Sequence, residues 1–221
     1  MRDTNLNYDY FLKALKKKVK FINGYEEMVS QDENEKRNPN RYYYLRKWYY
    51  DQFILEYSMG MFQFSFSWPR YFKAFLNMSP DLINYNTLLQ SIALGVLFQA
   101  PLEELLKIKE KAIERREYDD ALRLLTSLDP NETSQMRAII PENNDLIQGM
   151  ETKNPQFIMN YLNSWYRSNE GEYWHGEHTD PEGLAYIGYW CIEAAAAVKK
   201  FNIPYDLIRN HKYFPVDMVE M

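Results

Sequence analysis

The residues whose types and spacing could support chemistry are few and close together. Trp174-His175-Gly176-Glu177-His178-Thr179-Asp180 carries two histidines separated by two residues, with acidic side chains between and after them. Zinc takes three or four ligands in tetrahedral geometry. The third histidine, His211, lies far along the chain, and the one cysteine, Cys191, sits in an apolar run. His-x-x-His alone therefore falls short of a metal set. The plainer role for His175 and His178 is to cap or hydrogen-bond the turn before the apolar segment that follows. Glu193 is the one formal charge between Gly183 and Val198. A buried carboxylate must be paired, hydrogen-bonded or protonated. It could act as a general acid or base, but no second carboxylate stands at helical spacing to divide those roles. Glu193, with Trp190 beside it, reads as a structural anchor. Cys191 has no histidine at helical spacing and is expected as a buried, inert thiol. Ser58, Ser65 and Ser67 lie outside any G-x-S-x-G elbow, and neither glycine-rich phosphate fingerprint occurs. No catalytic residue, metal or cofactor is assigned.

Two further clusters carry charge or π-surface. Lys13, Lys16, Lys17, Lys18 and Lys20 share a helical stretch with an opposite apolar side. They read as a solvated face, with a membrane or nucleic-acid contact as the alternative. The block Tyr42–Tyr50 could stack bases beside Arg41, Arg46 and Lys47. At helical spacing, Leu45, Trp48 and Tyr49 are instead expected in the core.

The elements that must position these residues are helices punctuated by prolines. Apolar spacing near 3.6 predicts helices over about 6–23, 41–59, 81–99, 102–115, 118–127, 142–153, 156–168 and 182–201. A polar helical segment is expected over 25–37, and Pro39 is expected to turn one helix into the next. Ser79-Pro80, Asn154-Pro155 and Asp180-Pro181 look like capped helix starts. The stretch 61–75, with its FQFSFSW alternation, reads as helix or loop. No run sustains strand alternation between turn signals, so the fold class is all-α: a multi-helix bundle with a buried central helix near 182–201. A compositional change near residue 130 divides a region 1–130 from a region 131–221, expected to pack as one unit.

That last region carries a resemblance. Gly188-Tyr189-Trp190, Glu193-Ala194-Ala195-Ala196 and Tyr213-Phe214-Pro215-Val216-Asp217 resemble the C-terminal domain of the PoNi-type immunity proteins of bacterial polymorphic toxin systems. Upstream, Trp165-Tyr166, Trp174 and the run Glu56–Gly60 extend the similarity. The resemblance implies an all-helical protein that binds and silences a partner toxin, commonly a DNA-cleaving one, without catalysis of its own.

Charge and composition fit that expectation. Residues 1–110 hold fifteen Lys/Arg against thirteen Asp/Glu, and residues 111–221 hold eleven against eighteen. An acidic half is a poor nucleic-acid binder but a suitable partner for a basic protein. A single cysteine excludes an internal disulfide, and the N-terminus has no apolar signal core, so the cytoplasm is the expected compartment. The partner surface is expected at 170–182, where Glu170, Glu172, Glu177, Asp180 and Glu182 meet no Lys or Arg, and Tyr173 and Trp174 offer aromatic anchors. The alternative there is that Asp180 caps a helix and Trp174 fills the core. A scaffold without a toxin, or an enzyme using Glu193 or His175/His178, are the competing functions.

Overall fold

The computed structural model describes residues 1–129, 131–134 and 136–220. Pro130, at the boundary expected between regions, lies outside them. Among the described residues there are eleven α-helices and no strand, only an isolated parallel bridge between Asp119 and Met136. The chain forms two compact units that are interleaved in sequence. The first is Met1–Ile83 with Glu170–Tyr189, and the second is Asn84–Asn169 with Trp190–Met221.

In the first unit, α1 (Tyr8–Gln31) starts where Asn7 accepts from the backbone of Tyr10. Helix α1 runs on without a break from the helix expected over 6–23 into the polar segment expected over 25–37, whose last residues form a separate short helix. Gly24 sits within α1 in open space, so nothing forces a break there. The buried positions are Tyr10, Phe11, Ala14, Lys18 and Ile22, one helical face. Lys18 is thus a correction to the solvated lysine face. The short α2 (Glu33–Lys36) leads to Asn38-Pro39, which caps and opens α3 (Pro39–Ser58). Leu45, Trp48 and Tyr49 of α3 are buried, as the spacing predicts. After α3 the chain is held extended by Glu56, whose carboxylate accepts from Ser65 N at 2.7 Å. The FQFSFSW alternation then makes sense. Phe64 and Phe66 pack on Phe53 at ring separations of 5.0 and 5.3 Å, whereas Phe62 is 86% exposed. Helix α4 (Trp68–Asn77) follows and packs on α3, as does α1.

In the second unit, α5 (Tyr85–Leu97) is apolar nearly all round and packs against α10 (Ile192–Phe201). Ala194 to Ala197 are all fully buried, and their small side chains let the two backbones approach. Lys199 and Lys200, in the last turn of α10, donate to the carbonyls of Leu97 at 3.1 Å and Leu125 at 2.7 Å. They satisfy acceptors at or just beyond the C-terminal ends of other helices, where cations are favoured. Around them stand α6 (Leu102–Glu114), α7 (Asp120–Thr126), α8 (Asn143–Thr152), α9 (Pro155–Ser168) and the short α11 (Val216–Val219). Asn154-Pro155 caps α9 as expected, through Gln156 N at 3.0 Å.

The helix expected over 182–201 is realised only over Ile192–Phe201. Upstream, Leu184 has φ 54° and Gly188 φ 113°, left-handed values that interrupt a right-handed helix. Asp180-Pro181 accordingly opens a turn, in which Asp180 accepts from Gly183 N, and not a helix.

Candidate functional site

Residues 170–182 belong to the first unit and form a run of tight turns. His175 N donates to Glu172 O at 3.0 Å, and Thr179 N donates to Gly176 O at 3.1 Å. Gly176 takes φ 79°, which permits the reversal into the 3₁₀ turn Glu177–Thr179.

The loop is fastened from inside by its aromatic and imidazole side chains. Trp174 is 6% exposed, with its indole tilted on Tyr189 at 5.7 Å. His178 Nδ1 lies 2.6 Å from the Tyr189 hydroxyl. Tyr189 in turn meets Tyr186 edge-on at 4.7 Å. Tyr186 is fully buried; its hydroxyl donates to Asp3 at 2.6 Å and accepts from Asn5 at 2.7 Å. Burial, and then the Asp3 charge, push the Tyr186 phenol far above its ordinary range. Tyr10 donates to the Tyr186 carbonyl at 3.0 Å, and burial raises its own pKa to about 12.

The second fastening is ionic. Asp51 of α3 is fully buried and accepts from Lys18 at 2.5 Å, from Lys47 at 3.3 Å and from the Tyr173 phenol. Burial would raise the Asp51 carboxyl, but the positive charges of Lys47 and Lys18 and the bonds it accepts outweigh burial and hold it below the usual value. Desolvation lowers Lys47, which also sits 3.5 Å over the Tyr173 ring. The Tyr173 phenol is pushed well up, by burial first and by Asp51 second. Taken as a whole residue, Tyr173 is 36% exposed, while its phenol oxygen is buried against Asp51. Nearby, buried Arg46 donates to the Tyr71 hydroxyl at 2.8 Å.

What the loop leaves outside is acidic. Glu170, Asp180 and Glu182 are exposed, and Glu172 and Glu177 are half-buried. The sequence-derived candidates therefore separate by depth: Glu170 outward, Glu172 and Glu177 partly covered, Trp174 inward, and Tyr173 exposed in part with its phenol buried.

The remaining candidates lie in the second unit. Trp190 is buried, and Glu193 is half-buried in the first turn of α10, not at the middle of a long helix. A carboxylate there faces the positive end of the helix dipole. The Cys191 thiol contacts Glu193 Oε2 at 3.5 Å, and burial, then the Glu193 charge, push it well above its ordinary pKa. Among the described residues no group of three or more His, Cys, Asp or Glu side chains is placed to hold a metal ion.

Sequence reasoning missed one buried network in this unit. Asp119 Oδ1 caps α7 through Leu122 N at 3.1 Å, while Oδ2 accepts from Tyr85 at 2.8 Å and from Ile139 N at 3.0 Å. Asn143 donates to the same Tyr85 oxygen at 2.8 Å. The start of a helix at 118 was legible, but partners 34 and 20 residues away left no local signal.

The family model for the C-terminal domain of PoNe immunity proteins (PoNi) matches residues 97–218, just over half of the 221-residue chain. The matched span includes the whole 170–182 loop. Neither a curated protein nor a solved structure matches the chain.

Proposed function

The chain belongs to the PoNe immunity protein family, and on that premise we propose that it silences a DNA-cleaving toxin by laying the 170–182 loop over the toxin's active cleft. Members of this family are immunity proteins of polymorphic toxin systems that bind a cognate toxin, not enzymes. The observation that carries the finer reading is the division of labour within the loop. Its aromatic side chains are spent on holding it in place, while Glu170, Asp180 and Glu182 are exposed and Glu172 and Glu177 partly so.

A surface that cleaves DNA must present cations where phosphates bind. A fixed row of carboxylates matches that surface in sign and excludes substrate by occupying the same place. Because Tyr173 and Trp174 already hold the loop, little ordering cost is left for the moment of binding. Tyr173, partly exposed, adds to the contact, and Trp174 acts from beneath. Glu193 and Trp190 are supports of the second unit with no part in the chemistry.

The test is a triple charge reversal, Glu170→Lys, Glu172→Lys and Glu177→Lys, with Asp180 left intact. The partner used is the toxin domain encoded beside this protein. Circular dichroism and melting temperature stay near wild type. Toxin association slows about tenfold or more, with a smaller change in dissociation, and the slowing fades at high salt. Full protection and unchanged affinity in the triple variant place the contact elsewhere.

A further inference from the structure

Within the first unit, helices α1 to α4 leave a cleft of about 570 Å³. It is separate from the 170–182 loop, none of whose residues lines it. Its floor is apolar and aromatic, built from Tyr42, Leu45 and Tyr49 of α3 and Ala74 of α4, all buried. Its rim is charged. It carries Lys36 of α2, Arg37 just beyond it, and Arg70 and Lys73 of α4, together with Glu26 of α1 and Glu33 of α2.

The two carboxylates are already engaged. Glu26 accepts from the Tyr49 hydroxyl at 2.6 Å and from Arg70 Nε at 3.0 Å. Glu33 accepts from Lys36 at 3.1 Å. Arg37 and Lys73 are exposed, and among the described residues neither has a carboxylate within ion-pair distance. The cleft thus keeps two uncompensated cations at its mouth. Its floor is also stiff: Tyr49 is fixed at its hydroxyl by Glu26 and covered by the Arg70 guanidinium 5.0 Å from the ring centre.

A concave site of roughly 300–1,000 Å³ with an apolar lining and a few convergent polar groups is the usual form of a small-molecule pocket. We propose that this cleft binds a small organic anion, with its apolar body on Tyr42, Leu45 and Tyr49 and its acidic group between Arg37 and Lys73. The spare charge selects the sign of the ligand and the aromatic floor selects a flat ring over a fully hydrated ion. The fixed position of Tyr49 spares the ordering that a loose pocket would require on binding.

Two fluorescent dyes with the same ring system separate these roles: 8-anilino-1-naphthalenesulfonate and the uncharged N-phenyl-1-naphthylamine. Each is titrated into the full folded chain. The expected result is one saturable site, with the sulfonate held roughly tenfold more tightly than the neutral dye. Arg37→Glu with Lys73→Glu, both on the exposed rim, removes that preference while leaving the neutral dye bound. Asn77→Trp, which fills the mouth from α4, weakens both dyes. Lys107→Glu with Lys111→Glu, in the second unit, changes neither. Should the double rim variant not fold, Lys73→Gln is read for the same loss of preference. Equal affinity for the two dyes, or full retention of the preference in the rim variants, overturns the proposal.

Discussion

The phenol of Tyr173 donates a hydrogen bond to the buried carboxylate of Asp51, 122 residues earlier in the chain. This contact ties the acidic loop to the most buried charge of α3. Asp51 also holds Lys18 of α1 and Lys47 of α3, so one carboxylate collects a loop and two helices. Removing Asp51 therefore strands Lys18, Lys47 and the Tyr173 phenol together.

Tyr173→Phe keeps the ring and its contact with Lys47 but removes the donor to Asp51. The expected cost is about 1–2 kcal/mol in chemical denaturation. Amide exchange over 172–180 speeds up more than the global loss explains, because the loop loses one of its two fastenings. Unchanged exchange in that segment refutes the fastening role.

Asp51→Asn leaves Lys18 and Lys47 together in a buried place without a counter-charge. The expected cost is about 3–5 kcal/mol. The pH dependence has a definite sign. The folded carboxyl of Asp51 lies below its ordinary value. Its stabilisation is complete above the unfolded pKa of about 4 and is lost as pH falls through the lower folded value. Urea midpoints of the wild type therefore drop more steeply than those of Asp51→Asn as pH falls below about 5.

Asp119 differs from Asp51 in sign. Burial, the largest influence, raises its carboxyl despite the bonds it accepts from Ile139 N, Tyr85 and Leu122 N. Ionising it costs stability, so its contribution is greatest below the unfolded pKa and declines as pH rises through the folded one. Asp119→Ala removes the α7 cap and strands Tyr85 and Ile139 N, at about 2–4 kcal/mol. Tyr85→Phe costs about 1 kcal/mol, and the two changes together cost less than their sum in a double-mutant cycle. Additive losses show that the two groups do not share one network.

Gly149 of α8 lies against Ile158 of α9. A Cβ at position 149 would overlap Ile158 Cδ1 and stand 2.9 Å from its Cγ1. Gly149→Ala gains helix propensity of about 1 kcal/mol but overpacks this crossing, with a net loss of about 1–2 kcal/mol. Ile158→Val removes the overlapping methyl, so the double variant melts above Gly149→Ala alone. A stabilised Gly149→Ala shows that the crossing has slack.

Much of the local structure was legible in the sequence alone. Helix periodicity located α3, α5, α6, α8 and α9 to within a few residues, because the apolar spacing of a helix repeats whatever packs against it. Caps such as Asn154 are equally local, since the bond they make spans two residues. The family resemblance lay in short strings such as Gly188-Tyr189-Trp190 and needed no contact map.

Tertiary structure decided what periodicity cannot encode. An apolar run shows that a segment is buried, not whether it is helical, so residues 183–191 looked like the start of α10 until the positive φ values of Leu184 and Gly188 broke it. Lys18 sits in a lysine run and reads as solvated; only the arrival of Asp51 from another helix makes its burial tolerable. The same holds for Trp174 and Tyr173, whose types fit either an interface or a core. Periodicity reports which face of a segment turns inward. Which segment it meets there depends on the path of the whole chain, and that choice settled which loop side chains were held inside and which were left exposed.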